Sequence, residues 1–189
     1  MTTGQKQPMS AFNDAFDTVV VVEGGYSDHA SDRGGKTKYG ITERVARANG
    51  YEGAMDALTI ADARSIYRSQ YWDTLRLDEI SALSPQIALE LFDTGVNTGI
   101  GTAGKFLQRA LNALNQQGSI YADLAVDGLL GPVSVAALRA FLKRRQADGE
   151  TVLLRALNGL QTCRYIEIAE RDPQQEDFVF GWIKNRVTL

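Results

Sequence analysis

The stretch SAFNDAFDTVVVVEGG, residues 10–25, decides most of the fold. Its large apolar residues recur at the spacing of one helical face: Phe12, Phe16, Val19 and Val20. Ser10 is suited to cap this helix, and the pair Gly24-Gly25 is suited to stop it. Glu23 comes about three turns after Phe12 and therefore returns close to the same face. The sequence predicts an amphipathic helix whose apolar stripe ends in an acid.

Glu23 has two reasons to hold its proton. An apolar neighbourhood disfavours a carboxylate, and so does the C-terminal end of a helix dipole, so both raise the pKa of a carboxyl group. An acid that stays protonated near neutral pH is what general acid catalysis requires. The alternative is structural, because Glu23 could instead cap the turn or form a buried pair with Arg33 or Lys36.

Asp32 stands in contrasting surroundings. The segment SDRGG, residues 31–35, offers backbone amides and a neighbouring cation, so Asp32 is expected to stay ionised. Two carboxyl groups whose pKa values are pushed apart form the acid and base of glycosidic bond cleavage. Asp28 is a rival for the second role, and ordinary turn chemistry is the alternative for both aspartates.

The scarcity of histidine and cysteine narrows the possible chemistry. His29 and Cys163 are the chain's single examples, too few for an ordinary zinc site or an internal disulfide. Any His-based nucleophile would depend on His29 alone, and one imidazole beside two loop aspartates makes a poor metal site. We therefore predict no metal and no organic cofactor. Cys163 is expected to be a buried apolar residue of a helix.

The formal net charge of −3 is unevenly spread. Residues 1–103 carry 9 Lys and Arg against 14 Asp and Glu, whereas residues 104–189 carry 11 against 9. An acidic chain is a poor candidate for binding nucleic acid, because that affinity comes from neutralising phosphates. The basic residues within 139–145 have helical spacing and are typical of a solvated face. No stretch approaches the roughly 20 apolar residues of a membrane span, and residues 1–10 lack the pattern of a signal peptide.

Helical patterns dominate the rest of the chain. They cover roughly residues 42–49, 60–72, 84–95, 103–117, 131–146 and 151–171. The polar, glycine-rich residues 26–42 are typical of a hairpin. Glycines cluster between Gly95 and Gly104, where the charge balance changes, and this predicts a catalytic lobe at 10–95 and a second lobe at 96–189. We predict a mainly α protein, a helical bundle with one short β hairpin and a cleft between two packed lobes.

Two segments imitate nucleotide-binding motifs. GIGTAG, residues 99–104, has the form of a dinucleotide fingerprint, but that motif has meaning between a strand and a helix. Because residues 85–92 have a helical pattern, a helix–turn–helix is predicted instead. Gly35-Lys36-Thr37 resembles the end of a P-loop, but Ala30 occupies the position of the required earlier glycine.

Several other residues are expected to be structural. Trp72 is expected in the core, Asp127-Gly128 in a turn, and Pro132 at the first position of a helix. The aromatic stretch 178–183 is expected to be a docked tail.

Three groups of residues carry a family resemblance. They are EGGY at 23–26 with D-x-GG-x-T-x-x-GIT at 32–42, YWD at 71–73, and DTGVNTG at 93–99. These resemble the signature of glycoside hydrolase family 108, which comprises N-acetylmuramidases, many of them phage endolysins. The C-terminal region is similar to the peptidoglycan-binding module that usually follows, through FLQRALN at 106–112, VDGLLGP at 126–132, FGW at 180–182 and NRV at 185–187. The resemblance covers about residues 11–187 and implies a lysozyme-like fold.

The resemblance implies catalytic roles for three residues of the first motif. Glu23 would be the general acid that protonates the glycosidic oxygen, Asp32 the base or electrostatic stabiliser, and Thr37 would help to hold a water. The spacing also resembles the Glu, Asp and Thr triad of phage-type lysozymes, which are inverting enzymes.

Three further residues are candidates for binding substrate. Tyr26 and Tyr39 flank the loop and would either stack on sugar faces or pack the hairpin. Asn97 would either bond an N-acetyl group or cap the following turn.

The predicted function is hydrolysis of the β-1,4 bond between N-acetylmuramic acid and N-acetylglucosamine in bacterial peptidoglycan. The alternatives are a lytic transglycosylase, which would need Glu23 but not Asp32, and a non-catalytic cell-wall-binding or secretion-promoting protein. Peptidoglycan is the expected partner of a monomeric chain, without nucleic acid or stable membrane insertion. Such a lysin would be made in the host cytoplasm and would reach the wall, in the periplasm, after a separate permeabilisation of the membrane.

Overall fold

A computed structural model describes residues 11–20 and 36–187 of the chain. Its helices are α1 (Ala11–Val19), α2 (Glu43–Ala48), α3 (Ile60–Tyr67), α4 (Leu77–Ser81), α5 (Pro85–Thr98), α6 (Ile100–Leu114), α7 (Pro132–Arg171) and α8 (Glu176–Arg186). Short 3₁₀ turns lie at Met55–Ala57 and Pro173–Gln175, and a wider π-helical turn, Arg68–Asp73, continues α3. The strands β1 (Thr37–Lys38) and β2 (Ile41–Thr42) form the one sheet of the described residues. The predicted mainly α class with one short hairpin is confirmed.

The chain separates into two compact units, Met1–Asp73 and Thr74–Leu189. The predicted lobe boundary, between residues 95 and 96, falls inside α5. As a division by function it stays a prediction. In the described ranges, no helix combines the length and the apolar composition that crossing a bilayer requires.

The core of the first unit forms where α1 meets the end of α3. Phe12 packs edge-on against Trp72, with ring centroids 5.4 Å apart, and Trp72 is buried, as predicted. Phe16 packs edge-on against Tyr67 at 5.5 Å. Above this apolar layer, a guanidinium nitrogen of Arg64 lies 2.7 Å from a carboxylate oxygen of Asp17 on α1. Aromatic packing and a peripheral ion pair together fix α1 on α3.

The hairpin is tied to the same aromatic cluster. Thr37 pairs with Thr42 across the two strands, and the turn uses left-handed backbone at Tyr39 and Gly40, with φ of 52° and 73°. The Tyr67 hydroxyl donates a hydrogen bond of 3.2 Å to the Tyr39 carbonyl. A Cβ at Gly40 would lie 2.8 Å from that hydroxyl oxygen, so glycine is required by space as well as by φ. Tyr67 therefore links α1, α3 and the hairpin turn.

Glycines shape the second unit where α6 meets the loop before α7. Gly99, with φ of 94°, ends α5 and begins α6. A Cβ built on Gly104 would lie 2.1 Å from the Gly128 carbonyl oxygen, so α6 and this loop touch through backbone. The predicted helix–turn–helix is confirmed, and the glycines of GIGTAG serve helix ends and close packing.

Gln108, a buried side chain of α6, holds the end of the loop before α7. Gln108 donates to the Asp127 carboxylate at 2.8 Å and accepts from the Gly128 amide at 2.8 Å. The Asp127 carboxylate also accepts from the Leu129 amide at 2.8 Å, which closes a turn. The chain then enters α7 at Pro132, so both the predicted turn and the predicted helix start are confirmed.

Helix α7 joins two predicted helices through one non-helical residue. Gln146 has φ of 53°, and the helix continues on either side of it. The basic residues before the break, Arg139, Lys143, Arg144 and Arg145, are exposed, as the solvated-face hypothesis predicts.

Cys163 is exposed, so the expectation that it is buried was wrong. The buried face of this part of α7 passes through Asn158, Gln161 and Tyr165. Cys163 follows Gln161 by two residues, or about 200° around the helix axis, and therefore faces solvent.

The aromatic tail forms α8. Trp182 lies against Tyr165 of α7, with centroids 5.3 Å apart, whereas Phe178 and Phe180 are exposed. The docked tail is confirmed for Trp182, and not for the two phenylalanines.

We predict that Tyr67→Phe lowers the free energy of unfolding by about 1 kcal/mol, because it deletes the hydrogen bond to the Tyr39 carbonyl and keeps the ring. Thermal denaturation followed by circular dichroism measures this loss. The matched control is Tyr51→Phe, which deletes a 2.9 Å bond to the Ala54 carbonyl at an exposed site and is expected to cost less. Equal losses in the two variants would contradict a linking role for Tyr67.

We predict that Gly104→Ala destabilises the protein by roughly 1–3 kcal/mol, because the added methyl group must displace the Gly128 backbone. Gly101→Ala is the control on the same helix, where a Cβ would meet no atom within 4 Å. There alanine should be neutral or stabilise by up to about 1 kcal/mol. Chemical denaturation of both variants checks the difference, and a neutral Gly104→Ala would contradict the packing.

Candidate active site

Half of the predicted site residues lie outside the described residues. These are Glu23, Tyr26 and Asp32, together with the alternatives Asp28 and His29. Helix α1 ends at Val19, and the Val20 amide still bonds to the Phe16 carbonyl at 2.8 Å. The next described residue is Lys36, whose carbonyl accepts from the Glu43 amide at 2.8 Å. Both described ends of this segment are therefore bonded into the first unit.

Thr37 and Tyr39 lie together in the hairpin. Thr37 is the first residue of β1 and is half-buried opposite Thr42. Thr42 also caps α2 by accepting from the Val45 amide at 3.4 Å, so the strand leads directly into a helix. The left-handed Tyr39 has a half-buried ring, and the Lys38 ammonium lies 5.4 Å from its centroid. The hairpin thus presents a threonine and a tyrosine from a backbone fixed at both ends.

Asn97 belongs to the second unit, in the last turn of α5, and is exposed. Its amide nitrogen donates to the Asp93 carbonyl at 2.8 Å and to the Asp93 carboxylate at 3.1 Å. The alternative in which Asn97 caps the following turn is not observed, since Gly99 occupies that position. The side chain is instead bound to its own helix, four residues back.

Asp93 is the centre of a buried polar cluster. Its carboxylate accepts from Arg186 of α8 at 2.7 Å and from Gln161 of α7 at 2.8 Å, in addition to Asn97. Burial raises the pKa of Asp93, while the Arg186 guanidinium and these hydrogen bonds oppose the rise. A buried carboxylate with donors on both oxygens is held in one orientation, and it joins three helices.

Glu90 lies one turn before Asp93 on α5 and is also buried. Burial, reinforced by the nearby Asp93 charge, raises the pKa of Glu90 to about 7, against a weaker opposing bond from the Thr94 hydroxyl at 3.4 Å. Burial also raises the pKa of Tyr165, so its phenol stays protonated. Two buried oxygens of the cluster, Gln161 Oε1 and the Tyr165 hydroxyl, have no hydrogen-bond partner among the described residues.

Sequence reasoning missed this cluster. Asp93 and Arg186 each stand in a quoted motif, DTGVNTG and NRV, but no local pattern pairs residues so far apart. One signal was available. Glu90 follows Ile87 by three residues and so lies beside the apolar face that Ile87 and Leu91 define on α5, and a buried acid requires partners.

No group of three or more His, Cys, Asp or Glu side chains in the ranges 11–20 and 36–187 is arranged to hold a metal ion. The Asp93 carboxylate instead binds a guanidinium group and two amides of the protein itself. The chemistry available at the Asp93 cluster is hydrogen bonding and proton exchange.

We predict that stability falls as pH rises through 7, with Glu90 as a main cause. The folded protein holds the Glu90 proton more tightly than the unfolded chain, so this stability is present below about pH 4.5 and lost through about pH 7, amounting to about 3 kcal/mol. Glu90→Gln, which is neutral throughout, should exceed wild type in stability at pH 8 and not at pH 4.5. Chemical denaturation across this range is the measurement. The exposed control Glu170→Gln should keep the wild-type pH slope, and a Glu90→Gln variant with that same slope would contradict the assignment.

Comparison with known proteins identifies two regions of this chain. Residues 16–99 match the family model described as Glycosyl hydrolase 108, and residues 102–187 match the model described as Predicted Peptidoglycan domain. Among solved structures, SagA of Brucella abortus is similar in fold, with a TM-score of 0.59 and 23% identity over 91% of this chain and 95% of that one. No curated protein matches the chain. The chain therefore carries a glycosyl hydrolase 108 region followed by a peptidoglycan-binding region, and together these indicate a glycoside hydrolase acting on peptidoglycan.

Proposed function

We propose that the protein is an N-acetylmuramidase that hydrolyses the β-1,4 bond between N-acetylmuramic acid and N-acetylglucosamine. Glu23 is the general acid, Asp32 is the base or electrostatic stabiliser, and Thr37 helps to hold the attacking water. Tyr26, Tyr39 and Asn97 contact the glycan. Glu23 and Asp32 both lie in the segment of the sequence between α1 and the hairpin.

One observation carries the proposal. The glycosyl hydrolase match covers residues 16–99, a range that includes Glu23, Asp32 and Thr37. The fixed hairpin adds support, because Thr37 occupies a defined backbone position with a neighbouring strand and helix. A threonine hydroxyl both donates and accepts, which suits a residue that orients water.

The reaction transfers two protons, one from Glu23 to the substrate and one from water to Asp32. As the bond from the anomeric carbon to the glycosidic oxygen breaks, Glu23 gives its proton to the departing oxygen. Water adds to the anomeric carbon and loses its proton to Asp32, so both carboxyl groups have exchanged protonation states at the end of the step. We propose inversion, in which Asp32 acts through water rather than by forming a covalent intermediate.

The proposed setting is host-cell lysis by a phage-type endolysin, made in the cytoplasm and given access to the wall by a separate membrane lesion. This part rests on the resemblance to phage lysins. The two lobes, 10–95 for catalysis and 96–189 for wall binding, are part of the same proposal.

We predict that Glu23→Gln lowers the rate of peptidoglycan hydrolysis by at least about 100-fold, because the amide cannot give up a proton to the leaving oxygen. Asp32→Asn should also lose most activity. Release of reducing sugars from purified walls, with mass spectrometry of the products, is the measurement. The matched control is Glu52→Gln, an exposed acid of the same unit, which should keep wild-type activity.

The products separate the remaining possibilities. Reducing N-acetylmuramic acid ends support hydrolysis, whereas 1,6-anhydro ends and an active Asp32→Asn would show a lytic transglycosylase instead. If wild type and Glu23→Gln release equal amounts of reducing sugar, the assignment of Glu23 as the general acid is wrong. If wild type binds walls and releases nothing, the protein is a non-catalytic wall-binding protein.

A further inference from the structure

The Asn97 side chain has one hydrogen-bonding function left for a ligand. A primary amide carries two N–H donors and one carbonyl acceptor. Both donors are directed at Asp93, one to its carbonyl at 2.8 Å and one to its carboxylate at 3.1 Å. No described residue donates to the Asn97 carbonyl oxygen, and the side chain is exposed. Asn97 therefore offers solvent an acceptor and no donor.

Asp93 fixes this orientation of the Asn97 side-chain amide. Reversing the amide would bring the Asn97 carbonyl oxygen against two acceptors of Asp93, replacing two attractions with repulsions. The carboxylate cannot turn away, because Arg186 and Gln161 hold its two oxygens at 2.7 and 2.8 Å. The polarity that Asn97 presents is thus set by Asp93, whose carboxylate is held in place by residues of α7 and α8.

The space beyond Asn97 is open. Gly99 and Gly101 follow it in the α5–α6 turn, and a Cβ at either position would meet no atom within 4 Å. The turn beside the exposed Asn97 side chain is therefore not covered by other described side chains at these two positions.

We propose that Asp93, held by Arg186 and Gln161, is a positioning residue that fixes the Asn97 amide so that its carbonyl oxygen accepts a hydrogen bond from the acetamido N–H of an amino sugar. The inference rests on the proposed function, which supplies the N-acetylated glycan. An acetamido N–H can only donate, so it matches a site that only accepts, whereas a sugar hydroxyl would be satisfied by either polarity.

A merely structural role for Asp93 makes a different prediction. If Asp93 only anchors α8, its replacement lowers stability and leaves the contribution of Asn97 to binding intact. If it positions Asn97, its effect on binding disappears once the Asn97 amide is gone. A double-mutant cycle measures this difference.

The experiment measures the dissociation constant of a soluble N-acetylglucosamine–N-acetylmuramic acid oligosaccharide by calorimetry, in the Glu23→Gln background and well below the melting temperature. Asn97→Ala should weaken binding about tenfold, the loss of one hydrogen bond. Asp93→Asn should weaken it several-fold, and the double variant no more than Asn97→Ala alone. Gln86→Ala, an exposed amide on the same helix, is the control and should bind as the parent does. Should Asp93→Asn fail to fold, Arg186→Gln takes its place in the cycle.

The corresponding variants in the active enzyme should raise KM and leave kcat nearly unchanged, since this contact does not touch the reacting bond. The inference would be overturned if Asn97→Ala and Asp93→Asn had additive effects on the binding free energy. It would also be overturned if the Asn97→Ala variant bound the oligosaccharide as tightly as the parent does. The proposed function fails separately. If wild type leaves the glycosidic bond intact while the affinity cycle is non-additive, the positioning role stands and the muramidase assignment falls.

Discussion

The ion pair between Asp93 and Arg186 is the interaction on which the second unit depends. Helix α5 turns two acids toward its buried face, and a buried carboxylate is costly unless a cation and hydrogen bonds replace water. Arg186 from α8 and Gln161 from α7 supply them. Asp93 lies in the range matched by the glycosyl hydrolase model, and both partners lie in the range matched by the peptidoglycan domain. One carboxylate therefore ties the end of the first range to the last helix of the second.

Tyr67 has the corresponding role in the first unit, where it acts through ring packing and a hydrogen bond instead of an ion pair. Its ring packs on Phe16, near the end of α1, and its hydroxyl binds the carbonyl of Tyr39 in the hairpin. The residues proposed to do the chemistry, Glu23 and Asp32, enter the sequence between these two contacts. A single buried side chain thus contacts both α1 and the hairpin, the two described elements that flank the proposed catalytic segment.

The sequence predicted what local physics determines and missed what distant parts of the chain determine. Periodic apolar residues located α5, and the glycines of GIGTAG were correctly read as parts of a helix–turn–helix, because helix ends and backbone packing leave local marks. Cys163 was placed on the wrong side of α7, since residue type alone does not tell which face a helix buries. The Asp93–Arg186 pair joins residues 93 positions apart, and no periodicity reports such a distance. In the candidate site, the sequence named Asn97 but not the orientation that Asp93 imposes on it.

Glu90 shows why a raised pKa does not by itself identify a catalytic acid. Its pKa of about 7 is what a general acid working near neutral pH requires, and burial is the main cause, as expected for Glu23. Yet Glu90 is only 7% exposed, and its carboxyl group lies beside Asp93 and Thr94 of its own helix. The burial that raises its pKa also limits the access of a substrate to it. A catalytic carboxyl group must be packed against apolar protein on one side, which raises its pKa. Its other side must remain accessible to the substrate. The sequence predicts such a boundary at Glu23, where an amphipathic helix is expected to run into a polar loop, whereas Glu90 lies at the buried centre of α5.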